Sequence, residues 1–174
     1  MKGLVNMNLS NKQCNYLINT SESKKWKVYN SKLHNYQVTN FELHNEIKDI
    51  IVSYCKDILK LEISRVNVGI IKCEKDSFFG RHQDRLSKSE FTKDFLYNIN
   101  VRLNDDYKGG EFYLDDSPYH KPVGEIYHYK SSQYHEVKKI TEGVRYTAIF
   151  YIRERDVIKD LNNKNLLWVK KKIG

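Results

Sequence analysis

The sequence predicts a mainly β fold with flanking helices, an antiparallel sandwich or jelly roll. The clearest helical patterning lies in roughly the first 60 of its 174 residues. From Ile63 onward the chain breaks into short β-branched and aromatic segments separated by turn residues. Several short strands at such spacing, following helices, bury one another in layers.

The helical part begins at Ser10-Asn-Lys-Gln13, a capping box in which the Ser and Gln side chains satisfy opposite backbone donors. Cys14, Leu17 and Ile18 follow at helical spacing, which predicts a helix over residues 11–19, ended by the polar stretch 19–25. Residues 26–38, with Trp26, Val28 and Tyr29 among charged neighbours, predict a short strand and loop. A second capping box, Thr39-Asn-Phe-Glu42, precedes an apolar stripe of Leu43, Ile47, Ile50, Ile51, Tyr54 and Ile58, which predicts a longer helix over residues 40–60.

Strand segments follow at residues 64–72, 95–103, 110–114, 125–129 and 145–152. They are divided by Asn104-Asp-Asp, Lys108-Gly-Gly, the two prolines Pro118 and Pro122, and Glu142-Gly. Gly109-Gly110 marks a turn feeding a strand, where positive φ is tolerated best at glycine. Residues 156–169 predict a C-terminal helix or loose tail. No repeat or linker divides the chain, so it reads as one domain, with N-terminal helices over about 10–60, a jelly-roll core over about 63–153 and a tail over 154–174.

Composition narrows the function classes. With 40% hydrophobic and 13% aromatic residues, 13 of them Tyr, the chain is foldable despite a mean hydropathy of -0.70. The net charge of +8 is spread along the chain, with part of it in Lys170, Lys171 and Lys172, so it reads as a solvated surface and only weakly as an anionic or nucleic-acid partner. Cys14, Cys55 and Cys73 have no paired spacing, which argues against a disulfide framework or a zinc module. Met1–Ser10 has no signal-peptide core and no stretch approaches about 18 apolar residues, so a soluble cytoplasmic protein with no membrane partner is expected.

The chemistry gathers around Gly80-Arg-His-Gln-Asp84. On a strand, residues two apart share a face, so His82 and Asp84 can converge on one target. Alone, such a pair reads first as a surface ion pair beside a turn, and only the residues that follow favour a metal site. About fifty residues later His135 follows a strand segment, and ten residues beyond it stands Arg145. Two His and one carboxylate with open positions left over are the ligand set of a non-haem Fe(II) site.

With these residues in this order, the sequence resembles the Fe(II)- and 2-oxoglutarate-dependent dioxygenases, and within them the prolyl 4-hydroxylase-like hydroxylases. The resemblance rests on His82-x-Asp84, Tyr107-Lys-Gly-Gly-Glu-Phe112, Gly124, His135-Glu-Val137 and Thr141-Glu-Gly-Val-Arg145, and covers roughly residues 66–153. Leu9-Ser10, Cys14 and Leu17-Ile18 are similar to the N-terminal helix of the same group. It implies a double-stranded β-helix in which His82, Asp84 and His135 bind Fe(II), leaving positions for 2-oxoglutarate and O2, with ascorbate as an accessory reductant. It also implies that Arg145 grips the far carboxylate of 2-oxoglutarate through two parallel charge-assisted hydrogen bonds. Thr147 either adds a hydroxyl there or is an ordinary strand threonine. Asp84 implies hydroxylation, since related halogenases have a small residue at that position.

The sequence departs from the family where many relatives have a Tyr nine or ten residues before the first His, because Cys73 and Lys72 stand there. Tyr97 or Asn98 are the candidates to replace that contact to 2-oxoglutarate, Tyr97 fitting core packing as well. The segment between Asp84 and Tyr107, which often covers the substrate, is short. His128 reads as a half-exposed strand histidine. Arg81 and Arg102 read either as contacts to an anionic substrate or as solvent-facing.

The implied activity is hydroxylation of an aliphatic C–H bond in a peptide, such as a prolyl side chain, or in a small molecule such as a free amino acid. One alternative is oxidative demethylation or modification of nucleic acid. Its relatives carry a second Arg in an R-x5-R arrangement, whereas here Arg153 follows Arg145 by eight residues. The other alternative is a non-catalytic metal-binding jelly-roll module, against which the complete residue set argues. The oligomeric state is not specified by the sequence.

Overall fold

A computed structural model of the chain describes residues 7–86 and 90–162. Helix α1 runs Asn11–Glu22 from the expected capping box: the Gln13 N–H donates to Ser10 Oγ at 3.3 Å, and the Ser10 N–H donates to Gln13 Oε1 at 2.9 Å. It continues past residue 19 because Ser21 is buried and satisfies its own hydroxyl by donating to the Ile18 carbonyl.

A hairpin of β1 (Lys27–Asn30) and β2 (His34–Phe41) takes the place of the expected short strand and loop. It also removes the start of the expected long helix. Thr39 and Phe41 lie in β2, paired with Ile70 and Val68, and the Thr39 hydroxyl donates to the Lys25 carbonyl at 3.0 Å instead of capping anything. Strand pairing thus overrides the local capping pattern. Helix α2 begins only at Asn45 and runs to Tyr54, and a π-helical turn at Cys55–Leu59 follows it. A π turn is wider than an α turn. The buried stripe therefore passes from Ile47, Ile51 and Tyr54 to Cys55 and Leu59, while Ile58 is 49% exposed.

The remaining strands are β3 (Leu61–Ile63), β4 (Val68–Cys73), β5 (Phe78–His82), β6 (Phe95–Arg102), β7 (Tyr107–Gly109), β8 (Phe112–Leu114), β9 (Ser117–Pro118), β10 (Ile126–Lys130), β11 (His135–Val137), β12 (Ile140–Gly143), β13 (Arg145–Arg153) and β14 (Val157–Asp160). Ten strands form one sheet in the order β10-β6-β13-β4-β2-β5-β11-β8-β9, with β1 on β2. Two small ladders, β7 with β12 and β3 with β14, complete it. β14 pairs Val157 with Ile63, so the first part of the expected C-terminal helix is a strand, and residues 163–169 lie outside the described residues.

The long sheet curls. Phe112 of β8 stands 5.9 and 5.6 Å from the Tyr127 and Tyr129 rings of β10, although β8 and β10 lie near opposite ends of the strand order. The period of two then separates two buried faces. Val68, Ile70, Ile99, Val101, Ala148, Phe150 and Ile152 point to a core shared with Leu17, Ile47 and Ile51 of the helices. Ile71, Cys73 and Ile149 point into the curl. No helix among the described residues is long and apolar enough to cross a membrane.

Candidate functional site

The inner face carries the polar residues. β5 and β11 are antiparallel neighbours in which His82 and His135 are Cα partners, so their imidazoles rise on one face with centroids 4.3 Å apart. His82 Nδ1 lies 2.7 Å from the Gly80 carbonyl, and His135 Nδ1 lies 3.1 Å from the Gln133 carbonyl. A carbonyl only accepts, so each Nδ1 donates its N–H to the backbone and each Nε2 is turned toward Asp84 and the common point, the arrangement that orients a metal-binding imidazole.

Asp84 follows the end of β5. Its Oδ1 lies 3.4 Å from His82 Nε2 and its Oδ2 lies 3.5 Å from His135 Nε2, and the ligating atoms of the three residues lie within 4.8 Å of one another. Asn98, fully buried in β6, donates from Nδ2 to Asp84 Oδ2 at 2.5 Å and accepts from the Ser131 hydroxyl at 3.0 Å. Burial by itself would raise the Asp84 carboxyl, but hydrogen bonds and charge from His135 and His82 outweigh it and hold the group well below the usual carboxylate range. These three donors on one side of a common point can hold a divalent metal and leave its other side open.

A cavity of about 230 Å³ joins His82, Asp84 and His135 to Arg145, Thr147 and Asn100. The last three are 3–5% exposed, and Arg145 Nε, Thr147 Oγ1 and Asn100 Nδ2 are buried without a hydrogen-bond partner. A buried polar atom left unsatisfied costs about 1–3 kcal/mol. Three of them on one wall suit a polar ligand with a carboxylate at that end.

Residues 68–153 match the sequence profile of the 2OG-Fe(II) oxygenase superfamily. The chain belongs to that superfamily. A PKHD-type hydroxylase of Acinetobacter baumannii is 28% identical over 100 residues, covering 52% of this chain and 43% of the relative, so the chain spans less than half of that relative's length. The viral collagen prolyl hydroxylase of Paramecium bursaria Chlorella virus-1, solved as a 2OG complex, superposes with a TM-score of 0.66 at 19% identity, covering 83% of this chain and 91% of that one. A Pseudomonas putida prolyl-4-hydroxylase superposes at 0.67 with 14% identity, covering 84% and 89%. These likenesses bear out the double-stranded β-helix.

Within this oxygenase fold the other expected residues separate. Tyr97 lies on the outer face of β6, packed against the helical core with its ring 5.9 Å from that of His128, and does not line the metal cavity. His128, also outward, is held at 2.8 Å by the Tyr54 hydroxyl. Arg81 is bound bidentately by Asp116, at 2.7 and 3.0 Å, and stacks 3.8 Å from the Tyr134 ring centroid, which engages both its charge and its face. Arg102 lines a neighbouring cavity that also contains Arg145.

At the position of the family Tyr, Cys73 is buried, with its thiol pushed up to about 11 by burial. Lys72 faces outward and pairs with Glu22 at 3.1 Å and Glu74 at 3.3 Å. Tyr36, Tyr127, Tyr129 and Tyr151 line the cavity instead. Sequence reasoning missed Asn100, these four tyrosines and His34, whose ring lies 4.6 Å from that of His82. For Asn100 a signal was present: Asn98, Asn100 and Arg102 alternate with Ile99 and Val101, so a polar face runs along an otherwise apolar strand.

Proposed function

We propose that the protein is a cytoplasmic Fe(II)- and 2-oxoglutarate-dependent hydroxylase acting on an aliphatic C–H bond of an amino-acid side chain, with a peptidyl prolyl residue as the favoured substrate. The observation that carries this reading is the convergence of His82, Asp84 and His135 in one cavity with the buried, unpartnered Arg145. When bound, Fe(II) supplies the centre at which 2-oxoglutarate and O2 react to give succinate, carbon dioxide and the hydroxylated product.

The chain's own residues bind, orient and exclude water. Both imidazoles present Nε2 because their Nδ1 protons are held by backbone carbonyls, and Asn98 fixes the carboxylate that joins them. Arg145 offers a planar fork to the far carboxylate, with Thr147 on the same face as an additional hydroxyl. The aromatic walls of the cavity keep water from the reacting centre. Tyr29 and Tyr36, stacked with centroids 5.0 Å apart, line the cavity from the β1–β2 hairpin, and Tyr29 reaches solvent. Such a surface suits an apolar ring such as that of proline. The three cysteines are free and buried, which suits a reducing compartment.

The substrate is tested by measuring succinate release with Fe(II), 2-oxoglutarate and O2 across prolyl peptides, free amino acids, other small molecules and single-stranded oligonucleotides. Stimulation by prolyl peptides, with a mass gain of one oxygen on the peptide, is expected. Stimulation by oligonucleotides alone would overturn the substrate.

A further inference from the structure

Arg102 ends β6, and Arg145 begins the neighbouring β13. Thr147 is the Cα partner of Arg102, and Arg145 lies two residues before Thr147 on the same face. Partners across a ladder stand about 5 Å apart at Cβ and diagonal neighbours about 7–8 Å, within reach of long side chains. The face is fixed by Asn98, which shares the parity of Arg102 and reaches inward to Asp84.

Arg102 Nε and Arg145 Nε are both buried without a partner. Among the described residues, no side-chain hydrogen bond or ion pair engages either guanidinium. Both line a second cavity of about 380 Å³, whose wall of Phe112, Tyr127 and Arg145 is shared with the metal cavity. The two lysines there are already engaged, Lys108 with Glu142 at 2.8 Å and Lys121 with Glu125 at 2.7 Å. Asp105 and Glu111 also line this cavity, but both are exposed and neither forms an ion pair with Arg102 or Arg145. Two guanidiniums on one face with no directly paired carboxylate repel each other, and a shared anion reverses that sign.

A carboxylate has about four lone-pair directions, and a bidentate arginine occupies two of them. Tyr127 faces the same interior: it is the Cα partner of Asn100, and the charges of both arginines act on its phenol, although burial prevails and pushes that group up to about 12. It is therefore a neutral O–H donor at neutral pH.

We infer that Arg102 shares the far carboxylate of the 2-oxo acid with Arg145, with the Tyr127 hydroxyl as a further donor in place of the tyrosine that Cys73 and Lys72 do not supply. This rests on the 2-oxoglutarate reading of the site. It makes the pocket selective for a 2-oxo acid with a second carboxylate, and it makes that ligand the counterion of an otherwise repulsive pair.

The test is a pair of anaerobic measurements with Mn(II) in place of iron: calorimetric titration with 2-oxoglutarate and with 2-oxobutyrate, and the thermal midpoint with and without ligand. Arg102→Met is expected to weaken 2-oxoglutarate binding by about tenfold or more, the loss of one charge-assisted contact. It should also reduce the preference over 2-oxobutyrate, with the ligand-free midpoint unchanged or raised. Arg102→Gln should give the same weakening if the Met variant does not fold, and Tyr127→Phe should give a smaller loss of about threefold. A ligand-free midpoint that falls while affinity stays within about twofold of wild type would overturn the role of Arg102 and leave the 2-oxoglutarate reading standing. Absence of 2-oxoglutarate binding by the wild type would overturn that reading itself.

Discussion

His82 and His135 are direct cross-strand partners in the β5–β11 ladder. Two imidazoles far apart in sequence are thus set by backbone hydrogen bonding, and each is held by the carbonyl two residues before it. A divalent metal that binds only the folded state stabilises it by mass action, by about 2.7 kcal/mol at a hundred times the dissociation constant. Mn(II) or Fe(II) should therefore raise the thermal midpoint, and a chelator should restore the original value. In His135→Ala the metal-induced rise should vanish, whereas an equal rise in that variant would contradict the ligand assignment.

Asn98 connects Ser131 to Asp84 and has no exposed surface. Loss of an outer hydrogen-bond partner of a metal ligand typically weakens metal binding by about 10–100-fold. Asn98→Ala is expected to fall in that range by metal titration. Ser131→Ala removes only the second link, and its effect should be smaller. Equal effects of the two variants would show that Asn98 acts through packing and not through Asp84.

Gly110 has φ +69°, and a Cβ there would run into Ile140 Cδ1 and come within 3.1 Å of Arg145 Cδ. A non-glycine residue held in this region costs about 1–3 kcal/mol. Gly110→Ala should lower stability by that order in denaturant melts, and it should weaken 2-oxoglutarate binding by displacing Arg145. Retention of wild-type affinity would separate the turn from the pocket.

Glu22 ties α1 to the strand that carries Arg145. Tyr146 donates to it at 2.5 Å, and Lys72 lies 3.1 Å away. Burial opposes ionisation, but Tyr146 and Lys72 outweigh it and hold the Glu22 carboxyl below its ordinary value. A lowered folded-state pKa gives stability that is present above the unfolded value and lost as pH falls through the folded one. Glu22→Gln should therefore be less stable than wild type at neutral pH, by under about 1 kcal/mol for so exposed a pair. The gap should close in acid, below the folded-state pKa, in melts across pH. A gap that persists there would assign the effect to shape and not to charge.

The candidate ligand residues His82, Asp84, His135 and Arg145 could be picked out in sequence because they are few, chemically distinctive and ordered along the chain. Position was harder to read than identity. Tyr97 fits a strand facing either way, and its outward parity is fixed only by Asn98 reaching Asp84 across fourteen residues of sequence. The Thr39 capping box is locally sound, but the pairing of Thr39 with Ile70 is a long-range contact that local pattern does not encode. The π turn after Tyr54 likewise moves Ile58 to solvent without any change in hydrophobic spacing. Arg145 and Arg102 lie 43 residues apart, and only the β6–β13 register brings them together.

The most direct test of the central claim is anaerobic addition of Fe(II) and then 2-oxoglutarate to the protein, followed in the visible spectrum. A weak charge-transfer band is expected in the wild type, from the 2-oxo acid bound to iron held by His82, Asp84 and His135. In Arg145→Ala, iron binding should persist while far more 2-oxoglutarate is needed to develop the band. No band in the wild type, together with no O2-dependent succinate formation, would contradict the account.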